Sequence, residues 1–272
     1  MNSYNLKYYG EILRIHGIDV KKTVFSEDEQ AKIEEVFSVY EKNLPRSTGH
    51  QRLLLRLYSG ERFEKKLWAY ARPLIEKGAP ALLEDLKLDV YRNQAKIKIV
   101  EDMLLRNLAS MESQSTFKGE EDEQDPTVHL WLLYFTSQHY YFLKDFDRAF
   151  NYINKAIEHT PTVVDLYILK AKIYKHSGDK KRASLLYEEA RKLDLADRYL
   201  NAVSSRYRIR IDEVQEAEET MALFSKDTGD DKLNVHDMQC MWFETECGNS
   251  YLRQGLFRQA LKNFNYIEKH FE

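Results

Sequence analysis

Apolar and polar positions along this chain follow the period of amphipathic helices, and over the second half the helices themselves recur. Small residues mark the recurrence: Ala149, Ala183 and Ala217 are 34 residues apart, and Ala260 follows after an insertion. Each keeps the same company. A small residue lies twelve positions earlier (Ser137, Ala171, Ser205, Gly248). A tyrosine lies nine earlier in three of the four cases (Tyr140, Tyr174, Tyr251), with Arg208 in the third repeat. A bulky apolar residue follows four later (Ile153, Tyr187, Met221, Phe264). Apolar stripes at helical spacing, with small residues where two backbones cross, predict antiparallel helix pairs. The first helices are expected near 128–142, 162–176, 196–210 and 237–253, and the second near 145–159, 179–193, 212–225 and 256–270. The last step, from Ala217 to Ala260, is 43 residues, so nine extra residues fall in the polar stretch KDTGDDKLN (226–234), and a loop insertion is placed at 226–236.

The first 111 residues are helical in pattern but poorly periodic between pairs, with candidate helices over 2–16, 26–42, 46–58, 61–77, 79–90 and 92–111. Ser26 followed by Glu29 has the spacing of a capping box, in which each residue's side chain satisfies the other's backbone N–H. Gly17, Gly60 and Gly78 sit at breaks, and Pro45 and Pro80 near helix starts. Residues 1–111 therefore read as degenerate hairpins. Residues 112–127 hold five carboxylates after Lys118 and read as an acidic, solvated loop or linker, and 128–272 read as four clear repeats.

A period of 34 with this small-residue frame is the layout of the tetratricopeptide repeat. The expected fold class is all-α, a solenoid of helical hairpins wound into a right-handed superhelix. A hairpin of this kind cannot bury its apolar face alone, so hairpins stack and create a long concave surface. A binding scaffold follows, and an enzyme does not. Composition agrees: 43% apolar and 31% charged residues with 10 Gly and 5 Pro suit a helical protein and exceed the apolar content of disorder. The net charge of −3 gives no global attraction to nucleic acid, so an anion site must come from local clustering. Cys240 and Cys247, expected two turns apart on one helix, are too distant to bridge. With no signal peptide, sequon or long apolar run, the expected compartment is reducing, and no membrane partner is expected. The chain stops at the end of a predicted second helix without a polar cap, which marks it as a piece of a longer protein.

Local clustering does occur. Counting repeat positions from Leu130, Val164, Arg198 and Met241, positions 9, 12 and 13 of each first helix line the concave face. They read Lys172, Lys175 and His176 in the second repeat and Arg206, Ile209 and Arg210 in the third, and Arg253 takes position 13 in the fourth. Between 165 and 210 there are 12 Lys/Arg against 6 Asp/Glu. Cations gathered without carboxylates repel one another unless an anion answers them, and Arg forks with Lys point charges suit phosphate. The other reading is a solvated helix face that touches an acidic partner. His236, Cys240 and Cys247 share one predicted helical face, but no fourth ligand is in view and zinc is not expected. Trp131, Trp242 and Phe243 read as core, whereas Trp68 and Tyr70 are candidates for contact with a partner. No phosphate loop or nucleophile motif is present.

Several strings go beyond a generic repeat: INKAIEHTPTVVDLYILKAKIYKHSGD (153–179), LDLADRYLN (193–201), MQCMWFETECGNSY (238–251), IEKHF (267–271), and, more thinly, YEKNLPR (40–46) and LYSGERF (57–63). In these the chain resembles the auxiliary subunits of the NatA N-terminal acetyltransferase, large repeat proteins that carry a catalytic subunit and dock it on ribosomes. The resemblance implies a central portion of such a subunit, cytoplasmic and ribosome-associated through the whole complex. It implies a non-catalytic scaffold with no catalytic cofactor, no metal and no sequence-specific nucleic-acid binding. It further implies an inositol hexakisphosphate site, carried over onto Lys170, Lys172, Lys175, Arg206 and Arg210, with Tyr207 as a hydroxyl donor. The alternative is a generic peptide-binding adaptor of the cochaperone type. Position 9, reading Gln138, Lys172, Arg206 and Asn249, lacks that type's carboxylate clamp. An RNA-processing scaffold would want its basic residues interleaved with exposed aromatics over more repeats than these.

Overall fold

The structure, a computed structural model, describes residues 6–20, 22, 25–43, 49–224 and 235–272. Pro45 and the polar stretch 226–234 lie outside the described residues. All regular elements among the described residues are helices, and the one departure is an antiparallel bridge between Thr116 and Glu123. The chain forms two compact units, Met1–Asp145 and Phe146–Glu272.

The first unit carries α1 (Leu6–Ile15), α2 (Glu27–Asn43), α3 (Gly49–Leu57), α4 (Gly60–Glu76), α5 (Leu82–Val90), α6 (Gln94–Gln114) and α7 (Pro126–Phe142). The capping box at α2 forms as the spacing predicts: the Glu29 N–H donates to Ser26 Oγ at 3.2 Å, and the Ser26 N–H donates to Glu29 Oε2 at 3.0 Å. Leu13, Ile33, Leu55, Phe63, Leu67, Ile75, Leu86 and Val90 are buried in this unit, and Tyr70 is buried with them rather than offered to a partner. At Gly78 the backbone is left-handed (φ +61°), and any Cβ there would collide with the Trp131 indole. That close approach requires glycine on both counts. Lys96, on the first turn of α6, is buried and donates to the carbonyl oxygens of Leu55 (2.7 Å) and Arg56 (2.9 Å) at the end of α3. It thereby satisfies groups that a helix end leaves open.

The acidic stretch 112–127 lies inside this unit. It is split among the last turn of α6, a connection and the start of α7, where Asp125 caps the helix by accepting from the Thr127 N–H at 2.8 Å. The expectation of a wholly solvated segment needs correction. Phe117 is fully buried and meets the Trp68 ring edge-on at 5.0 Å, with the Arg72 guanidinium 5.4 Å from its centroid. One aromatic side chain pins the loop while most of its carboxylates stay in water.

The second unit carries α8 (Phe146–His159), α9 (Val164–Ser177), α10 (Lys180–Leu193), α11 (Arg198–Ile209), α12 (Val214–Ala222), α13 (Met241–Arg253) and α14 (Phe257–Lys269). Each helix packs on the next from α8 to α12, and α13 packs on both α11 and α14. The frame residues Ala149, Ala171, Ala183, Ser205, Ala217 and Ala260 are all buried. Gly248 leaves no room for a Cβ against the Phe264 ring, four residues after Ala260. A second periodic feature is in the backbone. Lys144, Gly178, Asp212 and Gly255, each five residues before a frame alanine, all have positive φ (61°, 102°, 70° and 74°). The turn that leads into each of α8, α10, α12 and α14 takes a left-handed residue, and two non-glycines supply it.

One boundary in the fourth repeat departs from expectation. Helix α13 begins at Met241 rather than 237, because the chain turns at Gln239 (φ 54°) and Cys240 sits at the N-cap. His236 and Cys240 therefore precede the helix that holds Cys247. Instead, His236 Nδ1 lies 2.7 Å from Glu244 Oε1, and its ring stacks on Tyr266 with centroids 3.8 Å apart. In the third repeat Arg208 stands where the other repeats have tyrosine. Its guanidinium lies 3.6 Å from Glu188 and 3.4 Å from Glu213, and Glu188 also accepts from Arg191 and Ser204. The Arg191 hydrogen bond is the main reason the Glu188 carboxyl is held down at about 2.

Candidate functional site

The first helices of the second unit, α9, α11 and α13, place the predicted cations in register. Frame-equivalent residues Lys172 and Arg206 lie on α9 and α11, and Arg210 and Arg253 stand at the C-terminal ends of α11 and α13. That position is electrostatically favourable, since a helix C-terminus carries partial negative charge.

Tyr207 is the centre of the arrangement. Only 7% exposed, it packs in a buried cluster with Ala171, Ala183, Leu186 and Tyr187, its ring 4.3 Å from that of Tyr187. Lys175 Nζ lies 5.9 Å from the Tyr207 centroid and Arg210 Cζ lies 5.3 Å from it. A buried ring thus holds cations from α9 and the end of α11, attracting both through its negative face. One step along α11, the Arg206 guanidinium lies over Trp242 at 4.3 Å, and its Nε is buried without a hydrogen-bond partner.

The structure brings Lys175 and Arg210 to the Tyr207 ring, sets Arg206 over Trp242, and leaves Lys170 and Lys172 half-buried on α9. Beside Lys172 is Asp165, whose carboxyl is pushed up by burial and partly restored by that lysine's charge. Two of the cations are not unanswered, contrary to the sequence expectation. Arg210 Nη2 donates to Glu246 Oε1 at 2.6 Å and its Nε donates to the same oxygen at 3.2 Å. That carboxylate raises the Arg210 pKa further. Arg253 donates to Asp212 Oδ1 at 2.8 Å and to the Ile209 carbonyl at 3.0 Å, which ties the end of α13 to the end of α11.

Glu246 and the Arg206–Trp242 contact were not foreseen, although one signal for the former was in the repeat register. Position 6 of the four first helices reads Phe135, Leu169, Val203 and Glu246. A partly buried carboxylate where the other repeats have apolar side chains calls for a charged partner close by.

Comparison with known proteins bears on the whole chain. It matches the family model described as N-terminal acetyltransferase A, auxiliary subunit, over residues 1–272. It is 37% identical over 271 residues to the N-terminal acetyltransferase A complex auxiliary subunit NAA15 of Arabidopsis thaliana, covering 100% of this chain and 30% of that protein. It is 38% identical over 244 residues to N-alpha-acetyltransferase 16, NatA auxiliary subunit, of Homo sapiens, covering 88% of this chain and 28% of that one. Its fold matches a chain in the structure of Naa15/Naa10 bound to HypK-THB, with a TM-score of 0.82 at 32% identity. That match covers 99% of this chain and 39% of the other. The chain thus spans less than a third of the length of these curated relatives. No helix among the described residues is long and apolar enough to cross a membrane.

Proposed function

Because this chain belongs to the family of N-terminal acetyltransferase A auxiliary subunits, we propose that it is a non-catalytic scaffold that carries the catalytic acetyltransferase subunit. The observation that carries this reading is the match, over 99% of the chain, to a repeat protein solved together with Naa10. Stacked helical pairs suit the role physically, since a solenoid presents an extended surface whose geometry is held by nearest-neighbour packing. Within the full-length protein the same scaffold would act in the cytoplasm, docked on ribosomes. Co-expression of the tagged chain with the catalytic subunit tests the reading. The two are expected to elute together from a sizing column, and a catalytic subunit that elutes alone would overturn it.

The basic face of the second unit is proposed to bind an inositol polyphosphate, with inositol hexakisphosphate the preferred probe. Its support is the pair Lys175 and Arg210 at the Tyr207 ring and Arg206 of α11 over Trp242, with Lys170 and Lys172 on the helix of Lys175. Charge-assisted bonds to phosphate contribute about 1.5–3 kcal/mol each when shielded, and exposed ones weaken with salt. Titration calorimetry at low salt should show binding that falls steeply as salt is added. The double change Arg206→Glu with Lys175→Glu should abolish it without loss of helix. Equal binding by wild type and double mutant would place the anion elsewhere.

A further inference from the structure

We propose that Glu246 is the specificity-determining residue of this anion site, an internal carboxylate that keeps Arg210 occupied until a ligand of high negative charge displaces it. The inference rests on the polyphosphate reading above and adds a residue that the reading does not contain.

The geometry has three parts. First, Glu246 Oε1 takes two donors of the Arg210 fork, at 2.6 and 3.2 Å, so the face of Arg210 that would grip a phosphate is already closed on a carboxylate. Second, the pair is partly withdrawn from water, with side-chain exposures of 37% for Arg210 and 21% for Glu246, so the attraction is less screened than on an open surface. Third, Glu246 stands at a repeat position filled elsewhere by Phe135, Leu169 and Val203, so the helix register alone does not call for a charge there.

Charge balance then sets the selectivity. An anion with a single charge that takes Arg210 exchanges one anionic partner for another and leaves Glu246 displaced beside it, with little net gain. An anion with several charges reaches Lys175 and Arg206 as well. Among the described residues neither of these cations has a carboxylate partner. The surplus contacts offset the displacement. Glu246 therefore filters for ligand charge, weakening simple phosphate more than a polyphosphate.

The test is titration calorimetry of the 272-residue chain at low salt, with inositol hexakisphosphate and inorganic phosphate as probes. Glu246→Gln keeps the size of the side chain and removes its charge. It should tighten hexakisphosphate binding about two- to fivefold, the upper part of the range for a partly exposed ion pair, and narrow the gap between the two probes. Glu216→Gln removes one charge from the exposed face of α12, and should leave both affinities as in wild type. If Glu246→Gln changes nothing while wild type binds hexakisphosphate, the filter is overturned and the site survives. If both variants tighten binding equally, only net charge is at work and the filter is again overturned. Absence of hexakisphosphate binding in every protein would overturn the site and the filter together. Should Glu246→Gln fail to fold, Glu246→Leu restores the side chain that Leu169 places at the equivalent position and reads out the same way.

Discussion

Phe264 lies so close beneath Gly248 that a single added carbon at 248 would overlap its ring. The two residues belong to α13 and α14, and their contact is the last instance of the seam that the alanines mark throughout the repeats. Gly248→Ala should lower stability by about 1–3 kcal/mol, the usual cost of overpacking. Ala183→Leu, at the seam of α9 and α10, should do the same. Thermal melts check both, and an unchanged melting temperature for either would mean that the close approach of the helices there does not depend on a small side chain. Phe264→Leu should recover part of the loss in Gly248→Ala.

His139 is fully buried, with its Nδ1 2.8 Å from the Tyr91 hydroxyl. Burial lowers its pKa to about 4, against an opposing pull from Glu101. The unfolded chain therefore takes up this proton first as pH falls, and stability is lost between pH 6.5 and 4. Comparison with His139→Gln, which cannot titrate, isolates the effect. From pH 7.5 to pH 5 the wild type should lose about 2 kcal/mol more than the variant. Parallel losses would show that the imidazole is not held neutral.

Lys96 works in the other direction of the scale. Burial lowers its ammonium pKa to about 8, so between pH 8 and 10.5 the unfolded chain holds more protons and this residue's contribution to stability rises with pH. In Lys96→Met the two carbonyl oxygens at the end of α3 lose their donor and the titration disappears. Denaturant unfolding at pH 7 and pH 9.5 should show the gap between wild type and variant widening by about 2 kcal/mol. A constant gap would contradict the burial of the charge.

Lys144 holds a left-handed backbone at φ 61°, in the repeat position where Gly178 and Gly255 stand. Lys144→Gly should raise stability by about 0.5–1 kcal/mol, because relief of the Cβ clash exceeds the extra freedom glycine gains when unfolded. Asp212→Gly at the equivalent turn should instead destabilise, since Asp212 accepts from Ser250 at 2.7 Å and from Arg253. Matched chemical-denaturation curves for the two variants separate the effects.

Purified chain without a partner should turn over no acetyl-coenzyme A in a coupled assay, as expected of a scaffold. Turnover that persists at constant specific activity through successive columns would contradict the non-catalytic reading.

The sequence by itself determined the helices and, within the second unit, the pairing of α9 with α10, α11 with α12 and α13 with α14 and the seam between them. These follow from short-range rules: apolar spacing sets a helix face, and a small residue at a constant offset marks where two helices touch. The alanines at 149, 183, 217 and 260 were legible because each repeat obeys those rules independently. The capping box at Ser26 and Glu29 was legible because four consecutive residues contain it. Tertiary structure decided the contacts between side chains that the chain brings together from far apart. Arg210 meets Glu246 from 36 residues away, Arg206 covers Trp242, and Phe117 tucks under Trp68 from a loop whose charges pointed to solvent. Each depends on which way a side chain leaves its helix and on the separation of neighbouring helices. Periodicity places residues on a face, but whether a cation there faces an anion, a ring or open water is settled only when the faces are assembled.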